Sequence, residues 1–303
     1  MANSIALFKQ YVPLLDEVYK EASKTSILDG NPELARAGAN ANELIIPMLD
    51  MQGLGDYSRN DGYVGGDVTL TNQTVPCNFD RGRMFMVDNM DNAESAGLAF
   101  GMLAGEFIRT KVVPELDAFR FAAYAGTSGI SKVAAGATLS DGAAVISALR
   151  AATAQMDSDE VPPTERYLFI TPLLLGYIQD MDTSKSREVL QNFEAIIKVP
   201  QTRFYTEIAL KSGKIVTSGS GQGATTTDET AGGWSKAADG KDINFMVIHK
   251  PAVIQFEKHV APKILTPDQN PTADGYRFGY HNVGIARVYE NKKAGVYLHH
   301  KAS

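Results

Sequence analysis

Hydrophobic residues recur at helical spacing in the segment that follows Asp91. Those that share one face of the helix are Ala96, Phe100, Leu103 and Phe107. Asp91 and Glu94 have the spacing of a capping box, so we predict that the helix begins there. Pro114 should kink the helix or begin a second one, and Gly126 should end it.

The predicted helix is long enough to cross the whole molecule. Over residues 92–124 it would span about 50 Å, close to the diameter of a compact protein of 303 residues. We therefore predict a flat or elongated body built along this helix, with a long core helix in a large enzyme as the alternative. Two oppositely charged pairs lie three residues apart and are predicted at its surface: Glu106 with Arg109, and Asp117 with Arg120.

Alternation of apolar and polar residues predicts a long hairpin over residues 63–87, with the turn at TNQT (71–74). Its apolar positions are Val68, Leu70, Val75, Cys77 and Phe79. Pro76 cannot donate to a strand ladder, so its strand should be an edge or carry a bulge. Because a two-stranded hairpin is only marginally stable in water, these positions need a partner. The partner is either the protein's own core or a neighbouring subunit.

The other segments mix helices and strands without an internal repeat, which predicts an α+β protein. Residues 1–40 are predicted to form an arm with a short helix after Pro13, and the glycine-rich residues 218–240 a mobile loop. Further predicted elements are helices at 143–158 and 172–181, a strand at 166–172, buried β structure at 243–257, and hairpins at 204–219 and 284–300.

The net charge and the cysteine content exclude some classes of protein. A net charge of −6 argues against a protein that grips nucleic acid through its phosphates, although a container wall can face nucleic acid. Cys77 is the single cysteine, which excludes an intrachain disulfide and fits a reducing compartment. No apolar run reaches the length of a membrane span, and the first residues do not have the pattern of a signal peptide.

Motifs for chemistry are weak in this sequence. GSGQGA (219–224) matches the dinucleotide fingerprint, but the residues after it have no apolar face for the helix that the fingerprint requires. Residues 270–281 partly resemble a calcium loop, yet His281 stands where a bidentate Glu is needed. Arg81 and Arg83 could form a phosphate site, but Asp80 and Asp88 flank them, which favours ion pairs within or between subunits. We therefore predict no catalytic, cofactor-binding or metal-binding residue.

The order of these parts is similar to that of a known family. FDRGRMFMVDNMDNAES (79–95), followed by AGEFIRTKVVPELDAFRF (104–121), resembles the major capsid proteins of tailed bacteriophages, which have the Hong Kong 97-type fold. The segments 243–253, 261–284 and 291–300 also resemble that family.

The resemblance implies an α+β, Hong Kong 97-like capsid fold. Residues 1–40 would be the N-terminal arm, and residues 41–125 the first part of the peripheral domain, with an extended loop at roughly 52–86 and a spine helix at 88–125. Residues 126–250 would form mainly the axial domain. Residues 251–303 would be closing strands that return to the peripheral domain.

The resemblance also implies a structural role without enzyme activity. The chain would form hexamers and pentamers of an icosahedral virion shell around double-stranded DNA, without sequence-specific binding, assembled in the host bacterial cytoplasm. Expected partners are a separate scaffolding protein, a portal and decoration proteins, but no membrane and no cofactor. Alternatives are an encapsulin-like nanocompartment shell, and an enzyme or carbohydrate-binding domain. The extended loop would lie over an adjacent subunit, and the predicted intersubunit contacts are Val68, Leu70, Arg81, Arg83 and Phe85.

Overall fold

The computed structural model describes residues 23–30, 36–37, 43–60, 62–90, 98–181, 184–218, 225–270 and 274–302. The α-helices are α1 (Leu98–Phe107), α2 (Val113–Ala125), α3 (Gly142–Ser158), α4 (Pro172–Met181) and α5 (Ser184–Leu190). The strands are β1 (Arg36–Ala37), β2 (Glu43–Met51), β3 (Val68–Pro76), β4 (Phe79–Asp88), β5 (Ser131–Lys132), β6 (Arg166–Ile170), β7 (Ala195–Lys198), β8 (Ile208–Leu210), β9 (Ile215–Ser218), β10 (Thr225–Asp228), β11 (Trp234–Lys236), β12 (Ile243–His249), β13 (Val253–Leu265), β14 (Gly275–Val288) and β15 (Val296–His300).

The long predicted helix is present as α1 and α2, joined by a single π-helical turn at Ile108–Val112. We call residues 98–125 the spine helix; they span about 42 Å at 1.5 Å per residue. Pro114 lies in the first turn of α2, and Gly126 caps its end, so both predictions for these residues are confirmed. The predicted capping residues Asp91 and Glu94, and most of the predicted arm, lie outside the described residues.

A five-stranded sheet in the order β5-β15-β12-β6-β7 forms the larger core. Side chains of its central strands β6 and β12 alternate between two clusters, apart from a bulge between Ile243 and Phe245. Tyr167, Phe169 and Met246 lie in the cluster with α2, and Leu168 and Phe245 lie in the cluster with α3 and α4. The α3 stripe that packs on the sheet is Val145, Leu149, Ala152 and Met156. The predicted helices at 143–158 and 172–181, the strand at 166–172 and the buried β structure at 243–257 are confirmed.

A second sheet, of β13, β14 and β4, lies along the spine helix, with β14 in the centre. Its apolar side chains Phe79, Phe278 and Tyr280 cluster with Ile108 and Leu116 of the spine. The spine helix, which follows β4 in the chain, therefore covers the apolar residues of β4.

The hairpin predicted over residues 63–87 is wrong in its pairing. β3 pairs antiparallel with β2, from Met51↔Val68 to Glu43↔Pro76, so TNQT lies inside a strand rather than at a turn. β4 instead pairs with β14, far along the chain. Pro76 ends β3, which borders β2 alone in the described part of the chain, in agreement with the predicted edge position.

The other two predicted hairpins are also wrong. β8 pairs with β11 and β9 with β10, so residues 208–218 and 225–236 form a two-stranded extension, which we call the ribbon, and not a short hairpin followed by a loop. The GSGQGA segment lies outside the described residues. β14 and β15 belong to different sheets, because a 3₁₀ segment at Glu290–Gly295 carries the chain from one to the other. The division into arm, peripheral and axial domains stays a prediction.

Candidate assembly surfaces

The hairpin of β2 and β3 continues into a tip that has no apolar cover. Gln52 and Asp67 hydrogen-bond across the start of this tip, residues 52–67, and Ser58 bridges to Gly62 near its end. Seven large apolar side chains of the hairpin are more than 60% exposed in the described residues: Met51, Leu54, Tyr57, Tyr63, Val64, Val68 and Leu70. A concentration of exposed apolar side chains of this kind marks an interaction surface.

Two of the predicted contact residues lie on this surface. Val68 and Leu70 are each 65% exposed, and they lie two residues apart on the same side of β3. The apolar residues of the tip itself, such as Leu54 and Tyr63, were missed, because glycines interrupt the alternation on which the sequence prediction relied. Contact of this surface with another subunit stays a prediction.

Phe85, a third predicted contact residue, packs inside its own chain. Its ring lies 4.7 Å from that of Phe107 in edge-to-face geometry. Phe85 is partly buried and packs against the apolar cluster between the spine helix and the second sheet. Met84 and Met86 on the opposite side of β4 are each 53% exposed. The structure therefore gives Phe85 an intrachain role and leaves the intersubunit role untested.

Arg81 and Arg83 hold the ribbon against the spine. Arg81 Nε lies 2.7 Å from Glu115 Oε1 of α2, and its Nη2 donates to the carbonyl of Gly233. Arg83 donates to the carbonyls of Thr230 and Ala231, at 2.9 and 3.3 Å. Gly232, which follows Ala231, has φ of +67°, and a Cβ there would lie 2.7 Å from Arg83 Nη1, so a larger residue would strain the backbone and displace the Arg83 guanidinium.

The ion pair of Arg81 is therefore intrachain, which is one of the alternatives that the sequence left open. Its partner is not a flanking acid: Asp80 pairs with His281 at 2.7 Å, and Asp88 accepts from the backbone of Met90. No local sequence signal identifies Glu115 or the carbonyls of the ribbon, which lie far from β4 in the chain. The intersubunit contact predicted for both arginines remains untested.

The predicted surface pair of Asp117 and Arg120 is wrong. Both side chains are buried, at 0% and 1% exposure, and each has partners outside the helix. Arg120 Nη1 donates to Thr25 Oγ1, while its Nη2 lies 2.9 Å from Glu257. Residues 117 and 120 do lie on one face of the helix, as predicted, but that face packs against the segment at 23–30 and is not exposed to solvent. By contrast, the pair Glu106 and Arg109 is exposed, with a 2.8 Å contact, as predicted.

A cavity of about 710 Å³ lies between the spine helix, the β4–β14 pair and the base of the ribbon. Its lining is largely aromatic and apolar: Phe79, Phe85, Leu103, Phe107, Val112, Trp234 and Tyr280. Arg81, Arg83, Lys111 and Lys211 supply positive charge, and Glu106 and Glu115 negative charge. The turn at Ile108–Val112 contributes Lys111 and Val112, and π-helical turns of this kind are common at functional sites.

Comparison with solved structures identifies the fold. A chain of a Mycobacterium phage Che8 structure matches with a TM-score of 0.57 and 14% identity, over 92% of this chain and 90% of that chain. The capsid of Myoviridae phage XM1 matches with a TM-score of 0.53 and 12% identity, over 92% of each chain. A virus-like particle from Pyrococcus furiosus matches with a TM-score of 0.54 and 10% identity, over 94% of this chain and 95% of that chain. No protein-family model and no curated protein matches the chain.

The chain has the fold of phage capsid proteins. The matches span nearly the whole of each chain, so the likeness concerns the fold as a whole and not one part of it. The α+β class and the fold expected from the resemblance are confirmed at this level.

The described part of this capsid fold has no group of three or more His, Cys, Asp and Glu residues that could hold a metal ion. Three of its histidines are buried, and one of them, His299, stacks on Phe245 at 4.9 Å and makes a hydrogen bond of 3.0 Å between its Nδ1 and the Asn244 amide. Burial, and then the neighbouring His300, lowers the pKa of His299 to about 4. No described helix is long and apolar enough to cross a membrane.

Proposed function

We propose that this chain is the major capsid protein of a tailed bacteriophage. The observation that carries the proposal is the likeness to phage capsid structures over 92% of the chain. In this role the chain is a structural subunit of the virion and not an enzyme.

The exposed hairpin supports assembly as the way in which the fold works. An isolated chain would leave the apolar side chains of the hairpin in water, whereas a shell buries them against a neighbouring copy. Hexamers and pentamers repeat this contact and close into an icosahedral shell. Val68 and Leu70 are the contact residues that the exposure supports directly, and Arg81, Arg83 and Phe85 act by holding the adjoining strand and ribbon.

The remaining parts of the proposal concern the partners. The shell encloses double-stranded DNA, and the net charge of −6 agrees with a wall that faces DNA without binding its sequence. Assembly takes place in the host bacterial cytoplasm with a separate scaffolding protein, a portal and decoration proteins.

The likeness to the virus-like particle from Pyrococcus furiosus favours a second candidate, a cellular compartment shell of the encapsulin type. Nuclease protection distinguishes the two. Native particles are treated with nuclease, sedimented and extracted; protected double-stranded DNA of uniform length is the result expected for a phage capsid. Particles that contain protein cargo without DNA would support the compartment, and a stable monomer that binds a small ligand would contradict both.

A further inference from the structure

The cavity between the spine helix, the β4–β14 pair and the ribbon has the size of a small-molecule site. Its volume of about 710 Å³ lies within the range of about 300–1,000 Å³ that is usual for such sites. Its aromatic wall is already in place, because the rings of Phe85 and Phe107 lie 4.7 Å apart edge to face, and those of Phe107 and Tyr280 lie 6.3 Å apart. An apolar molecule displaces water from such a wall favourably, so the cavity suits a hydrocarbon body.

The hydroxyl groups of the cavity wall are already engaged within the chain. Thr110 Oγ1 donates to the carbonyl of Glu106 at 2.7 Å, and Ser212 Oγ donates to the carbonyl of Lys214 at 3.4 Å. A nucleobase or a sugar needs several free donors and acceptors to be bound in a defined orientation. The wall therefore favours a ligand whose body has no hydrogen-bonding groups.

The charge of the cavity wall is positive. Four cationic side chains and two carboxylates line it, which leaves a surplus of two positive charges. Both carboxylates, Glu106 and Glu115, are paired with arginines. Lys111 and Lys211 make no ion pair within the described part of the chain; Glu229 lies near Lys211 but accepts from a backbone N–H at 2.7 Å. The two lysines therefore favour an anionic group on the ligand.

These two lysines come from different walls. Lys111 belongs to the π-helical turn of the spine, and Lys211 lies at the base of the ribbon. A carboxylate has two oxygens, so it can accept from both ammonium groups at once. We propose that the cavity binds a fatty-acid anion, with its carboxylate at Lys111 and Lys211 and its single hydrocarbon chain along the aromatic wall. The bound anion joins the ribbon to the spine and stabilises the single subunit. This inference goes beyond the proposed function, because binding requires no assembly.

The fluorescence of Trp234 measures binding directly, because it is the single tryptophan and lines the cavity. Decanoate added to the unassembled full-length chain should change this fluorescence to a plateau and raise the melting temperature. Decanol has the same chain without the charge and should bind about tenfold more weakly, the effect of losing two partly exposed ion pairs. A change that does not saturate, or equal affinities for the two compounds, would overturn the proposal.

A double variant, Lys111→Met with Lys211→Met, tests the contacts of the carboxylate. Methionine keeps an unbranched side chain without the charge. The affinity for decanoate should therefore fall about tenfold, whereas the affinity for decanol should stay the same. The matched control is Lys132→Met with Lys198→Met, which removes two exposed charges from β5 and β7, outside the cavity. Equal losses of decanoate affinity in the two double variants, or no loss in the first, would contradict the proposal.

Val112→Phe tests the position of the hydrocarbon chain. Val112 lines the cavity and packs, partly buried, against the apolar cluster between the spine helix and the second sheet. A phenylalanine ring there occupies part of the cavity, so the affinity for decanoate should fall at least tenfold while the melting temperature without ligand shows whether the fold is kept. The lysine variants provide the test if it is not kept. Unchanged affinity in a folded Val112→Phe chain would place the ligand elsewhere and overturn the proposal.

Two further results distinguish the alternatives. Vesicles of phosphatidylglycerol should leave the fluorescence of Trp234 unchanged, and a response to the vesicles but not to decanoate would replace the fatty-acid anion by a membrane lipid and overturn the proposal. Decanoate binding by a chain that forms no shells would sustain the cavity site and refute the shell function. Shells from a chain that binds no decanoate would do the reverse.

Discussion

The Thr25 hydroxyl donates a hydrogen bond of 2.7 Å to Asp117 Oδ1 on the spine helix, and both residues are fully buried. The same carboxylate accepts from Ser23 Oγ, from two backbone N–H groups, and from Arg203. One buried charge thus joins the segment at 23–30 to the spine. The helix is anchored there as well as packed.

Asp117→Asn should lower the free energy of unfolding by about 3 kcal/mol, because it leaves buried cationic and hydroxyl donors without their acceptor. Glu106→Gln, which removes the exposed ion pair on the same helix, should change it by less than about 0.5 kcal/mol. Urea titrations of the two variants measure both values. Equal effects would show that the 23–30 segment is not anchored through Asp117.

Replacing Val68 and Leu70 by Asp should abolish shell formation without unfolding the subunit. Both side chains are exposed in the single chain, so we expect the free energy of unfolding to change by less than about 0.5 kcal/mol for each substitution. Leu173→Asp is a matched control, since Leu173 of α4 is also 65% exposed but lies away from the hairpin. Sedimentation measures the shells. If the double variant formed normal shells, the hairpin would not be part of the assembly contact.

Charge reversal at Arg81 and Arg83 should impair assembly more than folding. Arg81→Glu places a second carboxylate beside Glu115 and releases the ribbon, at a cost of about 1–2 kcal/mol in subunit stability. The ribbon forms part of the cavity wall, so its release changes this surface of the subunit. We therefore expect the shell yield to fall by more than the loss of subunit stability explains. Arg150→Glu on α3 provides a control with the same charge change. An unchanged shell yield for the double reversal would contradict this role.

His299 should make the subunit sensitive to mild acid. Its pKa is lowered to about 4 in the folded chain, whereas an unfolded histidine titrates near 6.5, so the unfolded state binds the proton first. Stability from this group is complete above about pH 6.5 and is lost as the pH falls towards 4, by up to about 3 kcal/mol. Urea titrations between pH 7 and 4 should show the loss, and His299→Asn should reduce it. An equal loss in His299→Asn would assign the sensitivity to other groups.

Local pattern was sufficient for elements whose partners are close in the chain. The stripe of Val145, Leu149 and Met156 defines α3, and the spine helix followed from its spacing and from Pro114. Strand pairing could not be predicted in this way: β4 pairs with β14, and β3 pairs with β2, for which the sequence analysis predicted no strand. A strand's own residues do not encode which distant strand completes its ladder.

The residues of the candidate surfaces also differ in whether they could be predicted from the sequence. Val68 and Leu70 could be identified because a two-stranded hairpin cannot cover its own apolar side chains. Lys211, Glu115 and Trp234 could not, because the cavity forms only when β14, the spine and the ribbon meet. The prediction that Asp117 and Arg120 form a surface pair was wrong because both residues are buried. A polar face on a helix can contact another charged segment as well as water.

Electron microscopy of the native particles tests the central claim, that the chain assembles into a closed shell. We expect uniform icosahedral particles with hexamers and pentamers of this chain, in which the hairpin of each subunit lies on a neighbour. Co-expression with the scaffolding protein is included, so that a missing assembly factor does not determine the outcome. Monomers that persist in its presence, or assemblies in which the hairpins contact no other copy, would contradict the account.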